Sequence, residues 1–447
     1  MEVDAWLARA AASMPQHMAL ETPAGDWSYA RLHAAARFGA GELAVRGASP
    51  GDRVAIALPA GLDFAQALHA CFLLGAVAVP VDLRLAALEQ QRVLDGAVVV
   101  VAEPLGEGPE RASLPIAPRH DLDAVAVVIY TSGTTAAPRP VELTYGNLLW
   151  SALGSGVALA MGVNERWLCA MTVAHVGGLS ILVRAAIRAT TAIVHERFEV
   201  DRVLHDLSAR KATGISLVAT TLARLLDQGL QRPEHLRCAL TGGGPVPAAL
   251  VTRAHQAGLP VGLTYGLSQA ASQVTTTPLQ EITRGLDDPG VASAGPPLFC
   301  TRLQIASDNE ILVRGPTVAP GAIASDGWLH TGDLGALDYR GRLLVTGRKV
   351  DTIVSGGENI APAEVEAVLE AHPQVLEAAV LARFDPRWGE AVTAIVVPRA
   401  GAVLDPEALR SLCAASLAPF KVPKRFELVD GPLPRTSSGK LLRRELR

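Results

Sequence analysis

Residues 128–144 read VIYTSGTTAAPRPVELT. An apolar run, Val127-Val128-Ile129-Tyr130, breaks into Thr131-Ser132-Gly133-Thr134-Thr135, a loop of hydroxyls around one glycine. Small side chains leave backbone N–H groups accessible and the hydroxyls add further donors, so the loop is suited to wrapping an anion. It lacks the Gly-x-x-x-x-Gly-Lys-Ser/Thr spacing of a P-loop. Three more turns of this texture, at 241–245, 265–269 and 355–358, each follow a strand-like run. In an open parallel sheet, ligands bind where loops splay apart beyond the carboxyl ends of the strands. Several such turns in one chain indicate a nucleotide pocket.

Outward from that loop, helical and extended periods alternate. Residues 29–46 have helical spacing, 53–58 strand spacing, 63–74 helical and 77–81 strand spacing again. The alternation resumes from 166 to 278, with strands expected at 167–171, 192–195, 214–218, 238–240 and 260–264 between helices at 178–188, 203–209 and 220–228. This order predicts βαβ units and a mostly parallel sheet, an α/β fold. From residue 302 short strands and turns (RLQIA, EILVR, RLLVTGR) predict a small β-barrel. After Thr346-Gly347-Arg348 a third texture begins, with a helix at 362–371, strands at 378–383 and 391–398, and a basic end. The boundary falls at 347–351, giving an N-terminal domain of 1–347 and a small α+β C-terminal domain of 348–447, which the family resemblance given below implies is hinged to the first and mobile.

A chain of 447 residues suits two or three hydrophobic cores. With 49% apolar and 19% charged residues it is expected to be globular rather than disordered. A net charge of −4 leaves no electrostatic footprint for nucleic acid or an anionic membrane. The five cysteines are scattered and form no zinc-like spacing, as expected of reduced thiols in a cytoplasmic protein. The first residues carry acids and no apolar core of signal-peptide type. Residues 143–164 carry no charge and are long enough to span a bilayer, but four glycines and several polar residues interrupt them, so a buried helix with loops is expected instead.

The order of motifs resembles the adenylate-forming acyl- and aryl-CoA ligase superfamily, the AMP-binding enzymes, over nearly the whole chain. The resemblance is carried by WSYARL, GDRVAIALPAGLDF, LGAVAVPVDLRL, YTSGTTAAPRPVELT, LTGGGP, TYGLSQ, DGWLHTGDLG, GRKVDTIVSGGENIAPAEVEAVL and PRTSSGKLLRREL. It implies two half-reactions: a carboxylate attacks the α-phosphate of ATP to give an acyl-adenylate and pyrophosphate, then coenzyme A thiol displaces AMP. It also implies residue roles. Thr131, Ser132, Gly133, Thr134 and Thr135 would hold the β- and γ-phosphates. Gly243, Gly244 and Pro245 would line the adenine and acyl site, Tyr265 and Gly266 would face the adenine, and Ser268 would contact the α-phosphate. Asp333 would bind the ribose hydroxyls with Arg348 beside it. Lys440 would be the catalytic cation, a point charge bridging the attacking carboxylate and the α-phosphate. Gly356 and Gly357 would admit the pantetheine of coenzyme A, and Thr134 and Gln269 would face Mg²⁺.

Five positions stand out as departures from the family's pattern. Ala136, Arg139 and Pro140 stand where Gly, Lys and Gly are usual, and Pro140 removes an N–H and fixes φ. Gln269 replaces a magnesium-binding Glu, which predicts weaker metal binding. Val350 occupies the hinge position where Asp or Lys is common, and valine is stiff.

The acid is suggested by MTVAHVGGLSILVRAAIRAT, residues 171–190, together with LTGGGPVPAALV and TYGLSQAASQVTT. These are most similar to the o-succinylbenzoate–CoA ligases, the aryl-acid activators of menaquinone biosynthesis. Arg184 lies in an apolar run and needs a partner: a structural salt bridge, a snorkelling exit to solvent, or a second carboxylate of the substrate. The resemblance implies Arg184 and Ser180, with Thr275, as that second-carboxylate site. It implies His175, the other catalytic candidate, as the wall between acyl pocket and thiol tunnel. The rival readings are a CoA ligase for another aryl or fatty acid and a nucleotide-binding relative without turnover. The expected partners are the small carboxylic acid, ATP and CoA, with no nucleic acid and no membrane span; any assembly is expected to be a homodimer.

Overall fold

A computed structural model describes residues 1–108, 116–131, 139–284, 293–355, 358–385, 388–436, 439 and 441–446. Two large sheets build the first three quarters of the chain. One has five strands, in the order Val99–Val101, Arg53–Ile56, Val77–Pro80, Val125–Thr131, Arg139–Thr144. Its first four strands run parallel and the last returns antiparallel. The other has eight, with Arg166–Cys169, Thr191–Val194, Gly214–Leu217, Cys238–Thr241 and Val261–Leu267 parallel at its centre and antiparallel partners at both ends.

The strands are short and β-branched because both faces are covered, as parallel sheets require. Helix Leu62–Leu74 is buried without interruption from Phe64 onward, which explains why its apolar residues show no polar face. Helices Tyr145–Ala158 and Val176–Arg188 pack side by side against the same core. Thr144 caps the first of them through a reciprocal pair of bonds with Asn147. The uncharged stretch 143–164 thus divides into a strand end, this helix and a turn, and among the described residues no helix is long and apolar enough to cross a membrane.

The short strands after residue 302 form an antiparallel meander of four, Arg302–Ile305, Glu310–Arg314, Leu329–Leu337 and Leu343–Arg348. The chain then enters a five-stranded sheet with helices Pro362–Glu370 and Pro406–Ser416. This last part has its own apolar core, built on Ile353, Val365, Val380, Val392, Leu409 and their neighbours.

Two details refine the sequence reading. Strand Arg139–Thr144 pairs directly and antiparallel with Val125–Thr131. Pro140 lies in this edge strand, where a missing N–H is tolerated. The helix expected at 178–188 begins at Val176, ahead of the Gly177-Gly178 pair, and a Cβ on Gly178 would sit 2.3 Å from the Thr172 carbonyl oxygen. Glycine is there to let the preceding turn pack onto the helix.

Candidate active site

Strand ends of the two large sheets carry the residues expected on the nucleotide side. Strand Val125–Thr131 delivers Thr131, whose Oγ1 donates to the Arg139 carbonyl across the hairpin at 3.3 Å. Ser132, Gly133, Thr134 and Thr135 lie outside the described residues, as does Ala136. Strand Cys238–Thr241 opens into Gly243, Gly244 and Pro245, an exposed turn in which Gly243 has φ +79°. Strand Val261–Leu267 carries Tyr265 and Gly266 and runs into the 3₁₀ turn Ser268–Ala270, which holds Ser268 and Gln269.

Gly266 cannot be replaced here: a Cβ would meet the Ser272 carbonyl oxygen at 1.7 Å, because the returning strand crosses at a bulge. The Gln269 carbonyl accepts from the Ala319 N–H at 2.8 Å, which ties this turn to the connection between the strands Glu310–Arg314 and Leu329–Leu337.

The meander contributes a carboxylate. Asp333 is buried, receives the Tyr265 hydroxyl on Oδ2 at 2.8 Å and faces Arg348 Nε with Oδ1 at 2.8 Å. Asp333 and Arg348 are direct cross-strand partners. Burial, followed by the Asp333 charge, pushes the Tyr265 phenol far above its ordinary range, so it remains a donor. Tyr265, Asp333 and Arg348 therefore form one connected group spanning two sheets.

The acyl side lies between helices Tyr145–Ala158 and Val176–Arg188 and strand Ser272–Thr276. A narrow cleft there is lined by Ser151, Ser155, Ser180, Arg184, Ser272 and Gln273, among others. Arg184 is 6% exposed, donates through Nη1 to Ser155 Oγ at 3.1 Å and lies 4.6 Å over the Trp167 ring. Its Nη2 makes no hydrogen bond among the described residues, and no ion pair there includes it. Burial lowers its pKa to about 10, which still leaves it charged at neutral pH. Among the described residues, neither a salt bridge nor an exit to solvent accounts for this guanidinium.

Gln273, in the same cleft, is likewise buried with Oε1 unbonded. Thr275 needs correction: it is fully buried one strand period further on, with its hydroxyl donating to the Ala294 carbonyl at 2.8 Å. Ser151, Ser155 and Gln273 were missed in the sequence. Ser151 and Ser155 stand four apart on one helical face, a signal that needed the knowledge that this face meets Arg184.

His175 precedes helix Val176–Arg188, and its Nε2 lies 3.6 Å from Asp82 Oδ2, a carboxylate that also binds Arg84 at 2.8 Å. Ser180 sits one turn into that helix, its hydroxyl donating to the Gly177 carbonyl.

From the end of the chain, Gly439 reaches this region. A Cβ built on it would lie 3.5 Å from Thr220 Oγ1 and 3.9 Å from Val218 Cγ2, and Val218 Cγ1 is in turn 3.5 Å from the corresponding point on Gly243. Lys440 itself, and Gly356 and Gly357, lie outside the described residues. Among the described residues no group of three His, Cys, Asp or Glu side chains could hold a metal. The donor chemistry near Gln269 therefore fits a cation carried mainly by phosphate oxygens and water.

The profile of AMP-binding enzymes matches residues 7–113 and 89–322, and that of the AMP-binding enzyme C-terminal domain matches 364–440. A 2–succinylbenzoate–CoA ligase of Bacillus subtilis is 36% identical over 99% of this chain and 97% of its own length. The structure of o-succinylbenzoate CoA synthetase from Bacillus subtilis with its acyl-adenylate intermediate superposes with a TM-score of 0.91, at 36% identity, over 100% of this chain and 98% of that one. The same synthetase in complex with ATP and magnesium gives 0.90 at 36% identity, over 100% of both chains.

Proposed function

The chain belongs to the AMP-binding enzyme family, and from that premise we infer an adenylate-forming 2-succinylbenzoate–CoA ligase of menaquinone biosynthesis. It uses ATP with Mg²⁺ and coenzyme A. In the first step a substrate carboxylate attacks the α-phosphate, and pyrophosphate leaves. In the second the thiol attacks the acyl carbon, and AMP leaves.

The residues divide the work as follows. The hydroxyl-rich stretch from Thr131 to Thr135 holds the departing pyrophosphate. Asp333, oriented by Tyr265 and Arg348, accepts from the ribose hydroxyls. Gly243, Gly244 and Pro245 flank the adenine and acyl groups, Ser268 meets the α-phosphate, and Lys440 neutralises the charge that gathers there. Thr134 and Gln269 face Mg²⁺, which draws charge off the phosphates when bound. His175 stands between acid and thiol, and Gly356 and Gly357 give the pantetheine room.

The observation that carries the choice of acid is Arg184. A charged guanidinium buried in a cleft with one nitrogen unbonded costs about 1–3 kcal/mol, which an arriving carboxylate recovers. A monocarboxylate activated at its only acid group would leave that nitrogen unsatisfied. The succinyl carboxylate is activated while the aromatic one meets Arg184 and Ser180.

ATP–pyrophosphate exchange over a panel of acids tests this. Exchange with 2-succinylbenzoate and not with benzoate or hexanoate is expected. Exchange with a simple acid instead identifies a CoA ligase of other specificity, and exchange with none identifies a nucleotide-binding relative. A cytoplasmic location and a homodimer belong to this proposal. The free cysteines, four of them buried, support the first, and sedimentation velocity tests the second.

A further inference from the structure

The loop that ends at Lys440 is braced by one side chain whose partners have no part in binding ATP or acid. Residues 433–436 and 441–442 lie side by side. Arg435 and Leu441 pair as an antiparallel bridge, the Leu442 N–H donates to the Pro434 carbonyl at 2.8 Å, and the Gly439 N–H donates to the Thr436 carbonyl at 2.8 Å. Leu433, Leu441 and Leu446 anchor these segments on Ala379, Leu381, Ile395 and Val397, one face of the C-terminal sheet.

Arg435 connects them to Gly439. Its Nη1 donates to the Gly439 carbonyl at 3.0 Å, and its Nη2 donates to Glu377 Oε2 at 2.8 Å, on strand Val375–Asp385. One planar guanidinium thus holds the residue immediately before Lys440 against the body of the domain. The residue it holds is the part of the C-terminal segment that touches Val218 and Thr220, beside the Gly243 turn.

We propose that Arg435 is a positioning residue for adenylation, fixing through the Gly439 carbonyl the direction in which Lys440 enters the site. The proposal rests on the adenylation reading above. Its physical basis is the contrast between stability and geometry. The Arg435 side chain is 33% exposed, and an ion pair in that setting adds little to folding. A fork that binds a carbonyl and a carboxylate at once fixes an angle, and a displacement of about 1 Å at a reacting group costs on the order of 100-fold in rate. Arg443, on the other side of Lys440, differs. It is half-buried and bridges Glu366 at 2.6 Å and Asp351 at 3.4 Å, so its loss would disturb the domain itself.

The test separates the two half-reactions. In Arg435→Leu, kcat for ATP–pyrophosphate exchange is expected to fall about 100-fold with KM for ATP and acid changed less than about threefold. Thioester formation from a supplied acyl-adenylate should stay within about threefold of wild type, and the melting temperature should shift by no more than about 2 °C. Glu377→Gln, which keeps the Gly439 contact and loosens the anchor, should give an intermediate loss of about 10-fold in the first step alone. Exchange within threefold of wild type in both variants, or equal losses in both half-reactions, overturns the proposal. Wild-type exchange run alongside keeps the outcomes distinct: if it is present the adenylation reading holds whatever Arg435 does, and if it is absent that reading fails first.

Discussion

At the scale of single residues, Arg184 shows how a buried charge can store specificity. Removing one partner of a desolvated charge pair costs about 2–5 kcal/mol. Arg184→Leu should therefore lower kcat/KM for 2-succinylbenzoate by roughly 100-fold or more, while kcat/KM for the analogue lacking the aromatic carboxylate changes less than about threefold. Steady-state kinetics on the two acids checks this, and a merely structural arginine would lose both equally. Gln269 makes a smaller, opposite case. A neutral amide offers magnesium one weak oxygen where a carboxylate would offer charge. Gln269→Glu should lower the Mg²⁺ concentration for half-maximal exchange by about threefold to tenfold, read from a metal titration at fixed ATP. An unchanged requirement would refute it.

At the scale of elements, helix Pro362–Glu370 carries two carboxylates one turn apart, Glu366 and Glu370. Glu366 accepts from the Val380 N–H and from Arg443. Burial first, then the charge of Glu366, raises the pKa of Glu370 to about 7. The folded state then keeps a proton that the unfolded chain gives up from about pH 4.5, so this group lowers stability as pH rises from there to about 7. Glu370→Gln should raise stability at pH 8 by up to about 3 kcal/mol and leave it nearly unchanged at pH 4.5. Denaturant unfolding at the two values, followed in the C-terminal domain, decides the matter. Elements were also what the sequence disclosed best. The helix 29–46 and the strands at 77–81 and 214–218 end within about two residues of their structural bounds, since buried runs between turn residues have a clear period. The hairpin at 139–144 was less legible, because a proline there reads as a loop exit until its edge position is known. Gln273 and Thr275 stand two apart, but the bulge between their partners Gly266 and Tyr265 breaks the alternation, and the pattern alone does not reveal that bulge. The seats of Ser151 and Ser155 depend on which two helices touch, a tertiary fact that periodicity does not contain.

At the scale of the whole molecule, the two ends of residues 349–351 are tied to different bodies. Lys349 pairs with Asp308 and Glu310 of the meander, and Asp351 pairs with Arg443 of the C-terminal sheet. The boundary proposed at 347–351 falls across these residues. The division matters because the reaction has two steps with different needs. Adenylation gathers negative charge between carboxylate and α-phosphate and requires a cation at that point. Thiol attack on the adenylate expels AMP, a good leaving group, and makes no such demand on the same side chain. Gly439, lying against Val218 and Thr220, brings the chain end to the nucleotide side for the first of these steps. Lys440→Ala should accordingly lower ATP–pyrophosphate exchange by about 100-fold to 1,000-fold, while thioester formation from a supplied acyl-adenylate stays within about threefold of wild type. Rapid-quench measurement of each step on the same preparation checks both halves, and equal loss in the two would mean that this lysine serves the fold or the thiol step instead of the carboxylate's attack.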